Sequence, residues 1–228
     1  MRTGPSALML FAAGFGTRMG VLTADRPKPL IAVAGVPLID RALALVEAAG
    51  IGRIVVNTHY LGDRIAAHLA GRPGITLSPE APDILDTGGG LRAALPLLGP
   101  GPVFTLNPDG VFTGANPLAE LAAAWDPARM EALLLLGPIV AQGDFACGPD
   151  GRLARSAGGP GHRYLGAQIL DPEGLHDIQE IAFSLNRLWD AMIARGTLFG
   201  LAHAGGWCDV GTPEGIAAAE ALLGGTDG

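Results

Sequence analysis

The sequence predicts an α/β fold: a single doubly wound, mostly parallel mixed sheet, with a small β-rich part in the second half. Short apolar runs alternate with helical patterns up to residue 136, and this alternation is typical of parallel sheets covered by helices on both faces. Of the 228 residues, 49% are hydrophobic and 16% are charged, which is enough apolar material for a large core. We expect one domain over residues 1–228.

Four strand–helix pairs and a fifth strand make up the alternation. The strands are short apolar or β-branched runs, and the helices carry apolar residues three or four positions apart. Pro37 suits the first turn of one helix, and Gly50 ends it. We predict strands at 6–12, 53–58, 74–78, 102–106 and 132–136, and helices at 37–49, 61–69, 87–98 and 117–125.

The remaining third of the chain is less regular. A Gly148-Pro149-Asp150-Gly151 turn separates two short strand-like runs, which predicts a hairpin of 144–147 and 152–155. Ser184 and Thr212 are suited to begin helices. The predicted elements are a strand at 164–170, a helix at 184–193, a strand at 198–202, a loop at 207–212 and a helix at 212–223.

Charge and hydropathy exclude several classes of protein. The formal charge of −7 argues against a nucleic-acid-binding surface, which needs a basic face. No apolar stretch approaches the roughly 18 residues of a membrane span, and the first one lacks the flanks of a secretory signal. Cys147 and Cys208 give neither a disulfide framework nor a metal-binding spacing. We therefore expect a cytoplasmic protein without membrane contact, and few aromatic residues favour a monomer.

A glycine-punctuated loop follows the first strand, where residues 8–19 read LMLFAAGFGTRM. Gly14 and Gly16 let backbone N–H groups approach a ligand without interference from a Cβ atom. Successive free N–H groups form an anion-binding concavity, and Arg18 adds a bidentate phosphate donor. We predict that this loop binds the phosphates of a nucleotide, since an ordinary turn does not explain Gly-x-Gly-Thr-Arg after a buried strand.

Lys28 is the single lysine among the 15 basic residues, and it lies between Pro27 and Pro29. The chain uses arginine at every other basic position, so this position favours a compact ammonium over a planar guanidinium. The alternative is chance in an arginine-rich composition. The place of Lys28, ten residues after Arg18, favours a functional role.

Two common nucleotide-binding motifs do not match the loop. A dinucleotide-binding fingerprint needs a third glycine at position 19, which is Met19, and an acidic residue at the end of the second strand, which is absent. A P-loop needs Gly-Lys-Ser/Thr, which is absent as well. The loop is therefore a phosphate-binding motif of another kind.

The motif Ala12-Ala13-Gly14-x-Gly16-Thr17-Arg18-Met19, with Pro27-Lys28-Pro29-Leu30, resembles the signature of the sugar-1-phosphate nucleotidyltransferase family. Three later patches resemble its motifs in the same order, so the likeness spans residues 8–212: Thr87-Gly88-Gly89-Gly90, Asn107-Pro108-Asp109 and Trp207-x-Asp209-x-Gly211-Thr212. Asp86-Thr87-Gly88-Gly89-Gly90 and the short length most resemble the branch that serves bacterial cell-wall recycling, with UTP and N-acetylmuramate 1-phosphate as substrates.

The resemblance implies a Mg²⁺-dependent transfer of a nucleotidyl group from a nucleoside triphosphate to a sugar 1-phosphate, with release of pyrophosphate. It implies catalytic roles for Arg18 and Lys28 and a metal site on Asp109 and Asp209. A pair of carboxylates, completed by phosphate oxygens and water, also suits Mg²⁺ on chemical grounds. Nucleotide binding is implied for Ala12, Ala13, Gly14, Gly16, Thr17, Thr87 and Gly88.

Thr87 also has a structural interpretation, as the N-cap of the helix that follows it. The three glycines after it are costly at a helix start, at about 1 kcal/mol each relative to alanine. This cost indicates the close approach of a ligand, which by the resemblance is the nucleobase.

Residues 1–140 are expected to bind mainly the nucleotide, and residues 141–228 mainly the sugar phosphate. The resemblance places Asp144 and Gly166 at the sugar. Glu80 is a further candidate for ribose or sugar hydroxyls, with a solvated surface carboxylate as its alternative.

The chain departs from the family pattern at two places. Many relatives carry a Glu-Lys-Pro segment that binds the sugar phosphate, and this chain has none, which leaves Arg155 or Arg163 to replace its lysine. Pro108 stands where glycine or serine is usual and removes one N–H beside Asp109.

Three other functions stay open. One is a pyrophosphorylase of the same fold that uses GTP, CTP or TTP with mannose 1-phosphate or phosphocholine. Another is a non-catalytic nucleotide sensor, which Pro108 favours. The third, a nicotinamide-dependent oxidoreductase, is disfavoured by the missing third glycine and by the Lys28-Pro29 element.

Overall fold

Strands and helices alternate in the first half of the chain as predicted. The structure, a computed structural model, describes residues 4–225. Two short 3-10 helices, Thr17–Thr23 and Lys28–Leu30, lie in the loop after the first strand. The elements are β1 (Ala7–Phe11), β2 (Ala32–Val33), β3 (Val36–Pro37), α1 (Leu38–Ala48), β4 (Arg53–Thr58), α2 (Gly62–Leu69), β5 (Ile75–Pro79), α3 (Asp86–Leu98), β6 (Val103–Leu106), β7 (Gly110–Phe112) and α4 (Pro117–Ala124).

The second half contains the predicted hairpin, formed by two short antiparallel strands. A 3-10 helix, Glu173–Asp177, precedes the fifth α-helix. Within residues 4–225, no helix has the length and apolar character needed to cross a membrane. The elements are β8 (Ala132–Val140), β9 (Phe145–Cys147), β10 (Leu153–Arg155), β11 (Gly161–Leu170), α5 (Asn186–Arg195), β12 (Leu198–Ala202), β13 (Trp207–Asp209) and α6 (Pro213–Gly224).

The main sheet is mixed and mostly parallel, which confirms the predicted fold class. Strands β6, β1, β4 and β5 are neighbours in that order and run parallel. Strand β11 lies antiparallel between β6 and β8, and β12 runs parallel to β8. As a result β8, the fifth strand of the alternating series, is separated from β6 by a strand that comes later in the chain.

Both faces of the sheet are covered, as a doubly wound fold requires. Leu8 and Leu10 of β1 pack in one core cluster with apolar residues of α1, α2 and α4. Ala7 and Met9 point the other way and pack with residues of α3 and α5. Strand β1 is therefore fixed on both sides, and the loop that follows it begins at the carboxyl edge of the sheet, where ligands of such folds bind.

A short ladder of β7 and β13 brings two distant acidic segments together. The expected loop at 207–212 is wrong in its first half, because Trp207–Asp209 pairs antiparallel with Gly110–Phe112. Asp209 stands opposite Gly110, and the N–H of Val210 donates to the carbonyl of Asp109 at 2.9 Å. A small core joins this ladder to the loop after β1 and to α6: Met19, Ile31, Val33, Leu38, Val111, Val210 and Ala219.

Candidate active site

A cavity of about 310 Å³ opens at the carboxyl edge of the parallel strands. Its wall combines the loop after β1, the Lys28–Leu30 turn, the segment after β6 and the start of α3. Ten of the residues predicted from the sequence to form the site line it: Ala12, Ala13, Gly14, Gly16, Thr17, Arg18, Lys28, Glu80, Thr87 and Asp109.

Lys28 is held at this cavity by contacts at both ends of its side chain. Gly16 has a left-handed φ of 64°, and a Cβ atom there would lie 2.9 Å from the Cβ of Lys28. The stem of Lys28 therefore packs directly on the glycine loop. Its Nζ lies 2.5 Å from Oδ2 of Asp109, so the glycine loop, the single lysine and the acidic strand end meet at one point.

Asp209 and Arg18 lie together against Gly211. A Cβ atom at Gly211 would be 2.7 Å from Oδ2 of Asp209 and 2.9 Å from Nη1 of Arg18. Burial, followed by the charge of Asp109, raises the pKa of Asp209. The positive charges that oppose this rise belong to Lys28, Arg18 and Arg163.

Two neighbouring carboxylates fit a Mg²⁺ ion that is shared with a substrate. Among residues 4–225 no group of three or more His, Cys, Asp and Glu side chains could hold a metal. Mg²⁺ suits such a pair, because it is usually bound by one or two carboxylates and completes its shell with water and phosphate oxygens. Burial is the first cause of the raised pKa of Asp209 and the charge of Asp109 is the second, and a divalent cation would offset this second cause.

A second cavity of about 300 Å³ adjoins the first and shares Phe11, Asp86, Thr87 and Asn107 with it. It contains Asp144, whose Oδ2 accepts a hydrogen bond from the Tyr164 N–H at 2.9 Å. The other residues that line it are Phe145, Arg155, Tyr164, Ser184, Leu185, Asn186 and Trp189. Two ligands could therefore lie side by side, with Asn107 at the junction.

Comparison with known proteins decides the family. Residues 8–136 match the family model described as the MobA-like NTP transferase domain. The chain belongs to this nucleotidyltransferase family. An N-acetylmuramate alpha-1-phosphate uridylyltransferase of Caulobacter vibrioides is 41% identical over 98% of this chain and 99% of its own length. A protein of the same name from Neisseria meningitidis is 38% identical over 95% of this chain and 97% of its own length. The resemblance to the sugar-1-phosphate nucleotidyltransferases is confirmed.

A solved structure shows the same fold in another protein. HddC from Yersinia pseudotuberculosis superimposes with a TM-score of 0.79 at 20% identity, over 96% of this chain and 99% of that chain. The same protein complexed with GMP-PN gives a TM-score of 0.76 at 19% identity, with the same coverage. At these identities the likeness supports the fold assignment of the transferase.

Glu80 of the transferase is buried, with 5% of its surface exposed, so the solvated alternative is wrong. Its Oε1 accepts from Nδ2 of Asn57 and its Oε2 from the Leu85 N–H, both at 2.7 Å. Oδ1 of Asn57 in turn accepts from the Ala12 N–H at 2.7 Å. Glu80 therefore ties the start of the glycine loop to the segment before α3, and it faces the first cavity rather than the second.

The expectations for the start of α3 need two corrections. Thr87 is not the N-cap, because the helix begins at Asp86 and the Thr87 hydroxyl accepts from the Leu185 N–H at 3.0 Å. The three glycines make room for protein and not for a ligand: a Cβ atom at Gly88, Gly89 or Gly90 would collide with Phe183, Ile181 or Glu80. Gly88 lines neither cavity.

The backbone N–H of Gly88 also has a partner in the protein. It donates to the carbonyl of Phe183 at 2.8 Å. Close packing of α3 on the segment before α5 therefore explains why glycine stands here, and the nucleobase is not needed to explain it.

Gly166 positions another residue of the site. It does not line the second cavity; its φ is 79°, and a Cβ atom there would lie 3.0 Å from the Cβ of Asn107. Its carbonyl accepts from the Asn107 N–H at 2.8 Å. Gly166 therefore lies behind Asn107 and fixes it at the junction of the two cavities.

Sequence reasoning missed four residues at the site. Asn107 lay inside a family motif but was given no role. Asp86, which adjoins Thr87, was also given no role; its backbone has a left-handed φ of 59°. Both line both cavities, as does Phe11. Asn57 is the penultimate residue of β4, and its amide is committed to Ala12 and Glu80. The end of a parallel strand is the signal that could have found Phe11, Asn57 and Asn107.

Proposed function

We propose that the transferase catalyses Mg²⁺-dependent transfer of a uridylyl group from UTP to N-acetylmuramate 1-phosphate, with release of pyrophosphate, in cell-wall recycling. The observation that carries this proposal is the 41% identity over 98% of the chain to the Caulobacter relative of that name. Two adjoining cavities support it, because the reaction needs a triphosphate and a sugar phosphate side by side. Since the reaction consumes a nucleoside triphosphate, we place the enzyme in the cytoplasm.

We assign the nucleotide to the first cavity and the acceptor to the second. Of the described residues that line the first cavity, all except Gly211 lie at or before Asp109. Most residues that line the second lie between Asp144 and Trp189. This distribution supports the division of labour between residues 1–140 and residues 141–228.

The attacking group is a phosphate oxygen of the sugar 1-phosphate, which is already anionic, so no general base is needed. A bond forms between this oxygen and the α-phosphorus, while the bond from the α-phosphorus to the bridging oxygen of pyrophosphate breaks. The electron pair of that bond leaves with pyrophosphate. Catalysis therefore consists of positioning the two phosphates and neutralising their charge.

Five charged residues of the chain perform this work in our proposal. Lys28 binds between the α-phosphate and the attacking phosphate, and Arg18 stabilises the departing pyrophosphate. Asp109 and Asp209 would hold Mg²⁺, which when bound would supply additional positive charge to the phosphates. Arg163 is the better replacement for the absent lysine of the Glu-Lys-Pro segment, because its charge acts on Asp209 at the reacting end of the site.

A substrate matrix with pyrophosphate release as readout tests the proposal. UTP, GTP, CTP and TTP are each combined with N-acetylmuramate 1-phosphate, N-acetylglucosamine 1-phosphate, mannose 1-phosphate and phosphocholine, with Mg²⁺ or with EDTA. We expect the highest kcat/KM for UTP with N-acetylmuramate 1-phosphate, and none in EDTA. A higher kcat/KM for another pair would contradict the substrate assignment, and nucleotide binding without turnover would favour the sensor.

A further inference from the structure

The second cavity has an aromatic wall. Aromatic residues are only 5% of the chain, yet Phe11, Phe145, Tyr164 and Trp189 all line this cavity. Trp189 meets Tyr164 and Phe145 edge to face, with ring centroids 5.1 and 5.8 Å away. Its Nε1 donates to the buried Gln168 at 3.0 Å, which fixes the indole ring. Such a wall suits the apolar face of a sugar ring.

Of the residues that the structure describes, Arg155 is the single basic one that lines this cavity, and its guanidinium is held on several sides. It lies over the ring of Phe145 at 4.9 Å and over Trp189 at 5.9 Å. Its Nε and Nη2 both lie 2.8 Å from Oδ1 of Asp190, which is 59% exposed. Among residues 4–225 its Nη1 has no protein acceptor, so this nitrogen can bind a ligand.

The position of Arg155 separates it from the reacting phosphates. It does not line the first cavity, where Arg18, Lys28 and Asp109 lie. The acidic residues that line the second cavity are Asp86 and Asp144, which disfavour an anionic group near them. Asp144 lies next to Phe145, which pairs with Arg155, but its Oδ2 already accepts from the Tyr164 N–H. Among the described residues, the cation that this cavity offers to an anionic group of a ligand is Arg155, which does not line the first cavity.

We propose that Arg155 binds an acidic substituent on the sugar ring of the acceptor and thereby selects the acceptor. This inference rests on the proposed function, in which the acceptor is N-acetylmuramate 1-phosphate. That sugar differs from N-acetylglucosamine 1-phosphate by a lactyl ether that ends in a carboxylate. A guanidinium with a free N–H edge, fixed by aromatic rings and Asp190, is suited to bind that carboxylate.

The test compares these two acceptors, because they share the phosphate, the ring and the acetamido group. Wild-type protein and the Arg155→Gln variant are assayed with UTP and each acceptor. For Arg155→Gln we expect a loss of about tenfold to a hundredfold in kcat/KM with N-acetylmuramate 1-phosphate. With N-acetylglucosamine 1-phosphate we expect less than a threefold change, about the size of the weakest net hydrogen bonds.

Arg187→Gln is the matched control. Arg187 lies on α5, as Asp190 does, pairs with an acidic residue, Glu180, at 2.9 Å, and lies outside both cavities. We expect it to leave the preference between the acceptors unchanged. Thermal unfolding of each variant checks that it is folded, and Arg155→Lys, which keeps the charge and the aliphatic stem, repeats the comparison if Arg155→Gln does not fold. We expect an intermediate preference from it.

Three results would overturn the role of Arg155. An equal loss with both acceptors would place Arg155 at the phosphate they share, and an unchanged preference would show that it binds no substituent. A changed preference in Arg187→Gln would show that the effect is not specific to the cavity. These results differ from failure of the proposed function, in which wild-type protein does not transfer uridylyl groups to N-acetylmuramate 1-phosphate at all.

Discussion

The ammonium of Lys28 lies 2.5 Å from a carboxylate oxygen of Asp109, although 81 residues separate them in the chain. The side chains are 14% and 25% exposed, and both line the first cavity. Each group therefore keeps the other in place before a substrate arrives. An ammonium that is already oriented can bind an incoming phosphate without the cost of ordering a long side chain.

Removal of either partner is expected to abolish most of the activity and to leave the fold intact. Lys28→Ala and Asp109→Ala should each lower kcat by about 10²- to 10³-fold, the range seen when one group that stabilises developing charge is removed. Both side chains face a cavity and neither belongs to a core cluster, so Tm should change little. Pyrophosphate release gives kcat, and thermal unfolding gives Tm.

Arg26→Ala is the control for the loss of a positive charge near the site without the loss of a side chain that lines the cavity. Arg26 is an exposed cation two residues before Lys28, and it does not line the cavity. We expect near-normal turnover from this variant. Near-normal turnover in Lys28→Ala or in Asp109→Ala would contradict the proposed mechanism.

Neutralising Asp209 is expected to stabilise the metal-free protein while it removes activity. Burial and the charge of Asp109 raise the pKa of Asp209 above its ordinary value. The folded state then binds a proton more tightly than the unfolded state, so stability falls as pH rises through the interval between the two pKa values. Above that interval the loss is complete, and Asp209→Asn should raise the Tm in EDTA, by about 2–4 °C for each kcal/mol of burial cost and repulsion removed.

The same variant gives a test of metal binding that does not depend on turnover. Mg²⁺ should raise the Tm of wild-type protein, because it binds the folded state. It should raise the Tm of Asp209→Asn much less. A lower Tm for Asp209→Asn in EDTA would contradict the expectation that burial and the charge of Asp109 destabilise the ionised carboxylate.

The parallel core of the fold could be predicted because each strand there is followed by its own helix. The carboxyl ends of β1 and β6 therefore had to lie at one edge, which brought the glycine loop and Asp109 together. The insertion of β11 between β6 and β8 could not be predicted, since a strand pattern does not reveal its partners. The ladder of β7 and β13 was missed for a related reason, because three-residue strands carry too little periodicity.

Within the site, residue type was predicted better than residue role. Lys28 and Asp109 line the first cavity; Asp209 lines neither cavity and stands opposite Gly110, the residue after Asp109. Charged groups at a strand end or in a glycine loop have few structural functions, which is why their types could be singled out. For the glycines, the sequence indicated special positions but not their purpose. Gly88 and Gly166 make room for Phe183 and Asn107, and a sequence cannot show whether a missing side chain makes room for a ligand or for protein.

The two glycines of the loop after β1 are expected to differ when each is changed to alanine. Gly16 has a φ of 64° and supports the stem of Lys28, so Gly16→Ala should lower the free energy of unfolding by about 1–2 kcal/mol and reduce kcat as Lys28 moves. A Cβ atom at Gly14 would meet no other atom within 4 Å, so Gly14→Ala should leave stability unchanged. Urea unfolding measures the first quantity and pyrophosphate release the second.

The KM for the triphosphate separates the roles of these glycines further. If the loop binds phosphates through its backbone, Gly14→Ala raises this KM without a loss of stability. Full turnover in Gly16→Ala would contradict the inferred support of Lys28.

Glu80 is expected to act on stability more than on substrate binding. Glu80→Ala leaves Nδ2 of Asn57 and the N–H of Leu85 without their acceptor. Each donor left unsatisfied costs about 1–3 kcal/mol, so the free energy of unfolding should fall by about 2–6 kcal/mol for the two. Glu47→Ala, which removes an exposed carboxylate from α1, is the control and should have little effect. If Glu80 instead binds ribose hydroxyls as its main role, Glu80→Ala raises the KM for UTP and leaves the urea midpoint where it is in wild-type protein.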